Sequence, residues 1–276
     1  MKLRETIMKL VFLVAACCSV LAVALICIFL FLNGVPAIFK IGPLKFLTGT
    51  MWKPGNNIFG ILPMIVGSIC VTGLAILMGV PVAILTSVFL SRYCPKKFYG
   101  ICKSGINLMA GIPSIVYGLF GMLFFVNTLK WGFSVLAGAF TLSIMILPLI
   151  MRQTEEALKA VPDSYREGSF GLGAGKLRTV FRIVLPSAVP GILAGVILAI
   201  GRIVGETAAL IYTAGTVAQV PKNVLGSGRT LAIHMYMLSS EGLYMNQAYA
   251  TAVILLVLVV AINTLSGVVA KKLTKA

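Results

Sequence analysis

The sequence predicts an all-α polytopic membrane protein with six transmembrane helices, and three observations carry that prediction. Of its 276 residues, 59% are hydrophobic and only 11% charged. The mean hydropathy of +1.03 lies far above that of an ordinary water-soluble domain. Six apolar runs, near residues 11–32, 62–91, 105–127, 132–151, 188–213 and 248–270, are each long enough to cross a hydrocarbon layer of about 30 Å. Helices are expected in all six, because lipid cannot satisfy open backbone groups. Finally, the N-terminus, the 92–104 loop, the 152–187 loop and the C-terminus hold 16 of the 23 Lys and Arg, while the opposite loops hold six. That asymmetry puts both termini in the cytoplasm and explains the formal charge of +16 as membrane topology rather than a nucleic-acid footprint.

The first run follows "MKLRETIMKL" and contains "AVA" at residues 22–24, the outline of a secretory signal. It continues to Leu32, however, longer than the 7–15 residues or so of a signal core, so an uncleaved first helix is expected. The second run carries Pro81 and exceeds what a membrane needs, which predicts tilt or a kink; Pro113 and Pro148 predict irregularities in spans three and four. The long outer loops are rich in Gly, Pro and Asn with interleaved aromatics, and short interfacial helices are expected there. Residues 1–57 form a first helix with its outer loop, and residues 58–276 a five-helix core.

Chemistry-bearing residues are sparse. Cys17, Cys18, Cys27 and Cys70 lie in apolar runs and Cys94 and Cys102 in a basic loop, without C-x-x-C spacing, so neither a disulfide framework nor a zinc site is indicated. His234 is the only histidine and reads as an ordinary outer-loop residue. With one Asp and six Glu besides, an intramembrane enzyme acting on a lipid phosphate is poorly supplied.

The 152–187 loop has a helical grammar. After Pro162, Ser164-x-x-Glu167 has capping-box spacing, and Gly171, Gly173 and Gly175 then supply a helix stop. Leu177, Val180, Phe181, Val184 and Leu185 recur at helical spacing, with Lys176, Arg178 and Arg182 elsewhere on the wheel. A helix, turn and helix along the inner membrane surface is predicted, which by periodicity alone is either a connector or a docking element. "GLGAGKL" fails as a phosphate cradle, since Phe170 stands five before Gly175 and Leu177 follows Lys176.

"GRIVGETAAL", residues 201–210, places Arg202 and Glu206 in the fifth apolar run. Each such charge costs about 2.5–3.5 kcal/mol at the bilayer centre, so both must face protein or water. Their i, i+4 spacing predicts one helix face and mutual pairing. Such a salt bridge either only fixes packing, or lines a path in which Arg202 presents forked donors to an oxyanion and Glu206 restrains it. Thr207 adjoins them, and Ser114 beside Pro113 is a second candidate hydroxyl; bonding of Thr207 back to its own helix, and close packing through Gly111, Gly118 and Gly121, are the structural alternatives.

Glu167-Gly168-Ser169, then Gly173, then Ile183-x-Leu185-Pro186 resembles the coupling loop of ABC-importer permeases, with Gly168 and Ser169 in place of two alanines. From about residue 58 onward, "AGIPSIVYGLFG", "TEEALKAVPDSYREGSFGLGAGK" and "LAIGRIVGETAALIYTAG" resemble the PstA-type membrane subunits of phosphate importers. The resemblance implies a MetI-like permease fold in a bacterial or archaeal cytoplasmic membrane and a coupling role for the 167–186 residues. It also implies a phosphate path at Arg202 and Glu206. Implied partners are a second PstC-like permease, a PstB-like ATPase dimer and an external PstS-like phosphate-binding protein. ATP would be used by the ATPase, and this chain would bind no cofactor. Another oxyanion such as molybdate, tungstate or sulfate, or a stand-alone channel, remains open at this stage.

Overall fold

A computed structural model describes residues 2–275, with side chains over 4–272. Among them, five helices are long and apolar enough to cross a membrane, or six if one broken pair counts as a single crossing. The 40-residue α1 (Lys2–Ile41) leads into a short outer segment, α2 (Pro43–Thr48) and a two-stranded hairpin, β1 (Trp52–Lys53) and β2 (Ile58–Phe59), turned by Asn57 at φ 56°. The hairpin is absent from the sequence reading, because two-residue strands have no measurable alternation. α3 (Leu62–Arg92) descends unbroken through Pro81.

The third predicted span differs most from expectation. α4 (Lys96–Gly111) and the helix of α5 (Ser114–Gly121), extended by a π-helical turn to Thr128, meet at 98° around Ile112 and Pro113. The residue before a proline is driven out of the helical region, and Ile112 accordingly has ψ 128°. The Tyr117 hydroxyl donates to Met109 O at 2.7 Å, tying the two arms across the bend.

α6 (Val135–Lys159) is the central element. Its N-cap Ser134 accepts from Ala137 N, and its first free N–H groups donate to Gly226 O and Val224 O in the last outer loop. Two-thirds of its membrane window is buried, against none for α1. Gly79 of α3 approaches Ile146 and Ser143, and Ser143 Oγ donates to Ala75 O at 2.9 Å, so the two helices touch at small residues as lipid-embedded helices do.

After α6 come α7 (Asp163–Gly171), α8 (Lys176–Thr179), a π-helical turn over Val180–Val184 and α9 (Leu185–Val204). Together the last three make one 29-residue rod, Lys176–Val204. The second half of the predicted inner-surface pair is therefore the start of span five, not a separate surface helix. Proline lacks an N–H to continue an α-helical ladder, and the wider turn before Pro186 accommodates it within the rod. The chain then passes through α10 (Ala208–Ile211) and a long loop to α11 (Leu231–Glu241), and continues into α12 (Met245–Lys275), packed on α1 and α9.

Candidate translocation site

The depth of Arg202 follows from helix register. α9 runs antiparallel to α6, with Gly191 against Ala157 and Gly195 against Gln153, where an added Cβ would come within 2.7 and 2.5 Å of the neighbouring Cβ. Every residue gained along α9 is matched by one lost along α6. The register carries Arg202 level with Ile146, next to the midpoint of the 25-residue α6. Arg202 thus lies level with the middle of α6, and on this chain its side chain is exposed.

The helix does not continue to Glu206. It ends at Val204, passes through Gly205, Glu206 and Thr207 in non-helical form and resumes at Ala208. Glu206 Oε1 accepts from Ala209 N at 3.2 Å, meeting a backbone donor that the new helix start would otherwise leave open. Among the described residues the ion pairs are Lys103–Glu155, Lys159–Glu155 and Arg166–Asp163, so Arg202 and Glu206 are not bridged to each other. The expected mutual pairing is corrected: the break falls between the two residues and removes the common helix face on which i, i+4 pairing depends.

Both charges nevertheless flank the start of α5. Arg202 acts electrostatically on the phenol of Tyr117, and Ala209, whose N–H Glu206 holds, lies 2.7 Å from where a Cβ of Gly118 would stand. Gly118 and Gly121 are therefore close-packing positions against Ala209, Thr141 and Thr213. Ser114 and Thr207 are half-buried, and neither hydroxyl has a hydrogen-bond partner among the described residues; Thr207 does not bond back to its helix.

Sequence reading missed Asn263. It lies on α12 beside Gly201, and its Oδ1 is buried without a partner. An amide within "VVAINTLSGVV" was a usable signal, since polar groups in an apolar span mark packing or function. His234 is also relocated. It is wholly buried on α11, with Nδ1 3.1 Å from an Arg229 guanidinium nitrogen and its ring edge-on to Trp52. Arg229 also donates through Nε to Thr216 O at 2.7 Å. Burial, and secondarily Arg229, pulls the His234 pKa down to about 3, so the ring is neutral.

In the loop between α6 and α9, α7 starts at Asp163 behind Pro162, and no side chain caps it. The predicted Ser164–Glu167 capping box does not form, because starting at Asp163 moves Ser164 inside the helix. Gly173 has φ 80°, the left-handed stop expected of it. No residue of α7 is buried, and Tyr165, Phe170 and Leu172 are exposed, Leu172 at 91%. Glu167 and Gly168 are exposed and nothing lies within 4 Å of a Cβ on Gly168, so the smallness there serves no packing within the chain. An open groove of about 490 Å³ runs between Ser164, Gly168, Ser169, Gly173 and Ile183, bridged by the Ser169 and Thr179 hydroxyls at 2.9 Å. Leu185 and Pro186 begin α9.

The loop is firmly seated on the spans. Val180, Val184, Ala188 and Ile192 share an apolar cluster with Val88, Leu158 and Val161. Arg92 donates to Leu158 O at 2.7 Å, and Lys176 lies over the Tyr93 ring at 4.8 Å.

Residues 75–275 match the family model of binding-protein-dependent transport system inner membrane components. The chain belongs to that permease family. Among curated relatives, the permease is 34% identical over 198 residues to the probable ABC transporter permease protein YqgI of Bacillus subtilis, covering 67% of each chain. It is 32% identical over 213 residues to the phosphate transport system permease protein PstA 1 of Mycobacterium tuberculosis, covering 76% of this chain and 70% of that one. With the probable PstA of Methanocaldococcus jannaschii it shares 34% over 234 residues, 83% of this chain and 80% of that one. Its fold is that of solved importer permeases. The methionine transporter MetNI superposes at TM-score 0.62 with 21% identity, over 81% of this chain and all of that one. A bacterial alginate ABC transporter, solved with its substrate-bound periplasmic protein, gives 0.66 with 16% identity, over 93% and 95%. The PstA-type resemblance and the MetI-like fold expected from sequence are thus both found.

Proposed function

We propose that this permease forms one half of the path of an ATP-driven importer of inorganic phosphate, with Arg202 as a transient anion stop. The observation that carries the reading is the state of Arg202: at mid-depth, exposed on its own chain and bridged to no carboxylate. A guanidinium exposed to acyl tails is costly, so its exposed side must meet a partner subunit or a water-filled path. The non-helical backbone at Gly205–Thr207 supports the same conclusion, since irregular backbone at membrane depth is tolerated only within protein or along an aqueous cavity. The PstA relatives favour phosphate as the anion.

A second permease of the same kind covers that face in this reading. The exposed α7 and its groove receive a separate ATPase, which Glu167, Gly168, Ser169 and Gly173 contact and the Ile183–Pro186 segment couples to span five. An external phosphate-binding protein delivers substrate to the outer loops, and both termini lie in the cytoplasm.

The experiment is phosphate uptake by Arg202→Gln and Arg202→Lys. Uptake falls to background in the Gln variant and is partly kept in the Lys variant, while membrane insertion of both is normal. Normal uptake by Arg202→Gln would remove the path assignment.

A further inference from the structure

The break between Arg202 and Glu206 leaves an unusual carboxylate. Glu206 lies four residues beyond a mid-depth arginine, is half-buried, and has no cationic partner among the described residues. One oxygen, Oε1, is used by Ala209 N, which fixes the direction of the carboxylate; the other has no hydrogen-bond partner among the described residues. A carboxylate retained there against its desolvation cost, and not neutralised by the nearby guanidinium, repels anions in general. It is an odd neighbour for an anion path unless the transported anion brings a proton.

Oxyanions divide on that point. Near neutral pH, phosphate and arsenate keep at least one ionisable O–H, whereas sulfate and molybdate are fully deprotonated dianions that can only accept hydrogen bonds. Arg202 alone attracts all four, because a guanidinium supplies donors and charge and carries no acceptor. An acceptor is what separates them.

We infer that Glu206 reads the proton on the transported anion: its free carboxylate oxygen accepts a hydrogen bond from a protonated oxyanion and repels one that has no proton to give. This deepens the reading of Arg202 as the anion stop and rests on it. The protonated anion gains a charge-assisted O–H···O⁻ bond, while the bare dianion meets an uncompensated like charge, so selectivity comes from attraction to one class and exclusion of the other. The fixing bond from Ala209 matters because rejection depends on a carboxylate that cannot turn away. The α5 start, with Gly118 packed on Ala209, holds that backbone in place.

The test uses the assembled transporter in lipid nanodiscs without any external binding protein, so that the latter's own selectivity does not enter. Thermal unfolding is followed in chloride buffer near neutral pH with phosphate, arsenate, sulfate or molybdate added. The wild type is stabilised by phosphate and arsenate and ignores sulfate and molybdate. Glu206→Gln, which mimics a protonated carboxyl, responds to sulfate as well, and its preference for phosphate over sulfate falls by about tenfold or more. Glu206→Asp, which keeps the acceptor, retains the preference.

If Glu206→Gln binds phosphate and still ignores sulfate, the inference is overturned while the Arg202 reading stands. If Arg202→Gln still responds to phosphate, the underlying reading fails instead. Should Glu206→Gln not assemble, the wild type decides alone, because equal stabilisation by sulfate and phosphate contradicts a proton-reading carboxylate.

Discussion

Two carboxylates on the core helices are treated in opposite ways. Glu155, near the C-terminal end of α6, receives Tyr99, Lys103 and Lys159, all on Oε1, so that its charge is met by cations within the chain. Glu206, within the break in span five, has a single backbone donor, and Arg202 nearby has no carboxylate at all. The first group sits where water is near and pairing is cheap; the second sits at mid-depth, where leaving charges open is expensive. In the proposed reading, the charges left open are held for something outside the chain.

The contrast is sharpest when the two sites are altered in parallel. Arg202→Gln abolishes uptake, whereas Glu155→Gln keeps uptake and changes stability by no more than about 1 kcal/mol, as for a partly exposed ion pair. Loss of uptake in both, with normal insertion, would erase the distinction.

A second open region, α7, ends in a single left-handed turn at Gly173, and in the proposed reading it docks a partner. Gly173→Val forces a β-branched residue into φ 80°, a conformation such side chains rarely adopt, and misaims the exposed helix. ATPase co-purification and uptake fall together by roughly an order of magnitude, for a strain of about 1–2 kcal/mol. Unchanged co-purification with normal uptake would remove the docking role.

The smallest effect concerns α11, where a group is closed off rather than left open. His234 is buried and neutral, with its pKa lowered to about 3 from an ordinary imidazole value of 6.5. The unfolded chain therefore binds a proton that the folded chain refuses between those values, so stability is full above about pH 6.5 and declines as pH falls toward 3. Thermal unfolding of wild type and His234→Asn over this range checks the sign: the variant loses part of the acid sensitivity. An identical pH slope in both would contradict the burial account.

Much of the architecture was legible because lipid imposes it. Long uncharged runs must be helices, so α3, α6 and α12 fell within eight residues of their predicted bounds, whereas α1 extends nine residues beyond its run at each end and the fifth run overshoots the helix end at Val204 by nine. The site was legible in its members and not in its geometry. Gly205 sits in an apolar run that continues through Ala208–Ile211, and no composition signal distinguishes a helix that ends and restarts from one that carries on. The Ser164–Glu167 spacing was real, but where a helix starts depends on backbone contacts around Pro162 that spacing does not encode. Asn263 was visible as a polar residue in an apolar span; that it faces Gly201 is a matter of tertiary register.

The most direct test of the account is the water accessibility of position 202. With the six native cysteines replaced, Arg202→Cys is exposed in the assembled transporter to a charged, membrane-impermeant thiol reagent. Modification that slows when phosphate is present is the predicted result. A cysteine that resists the charged reagent but reacts with a lipid-soluble one would place the residue in the acyl layer and contradict the account.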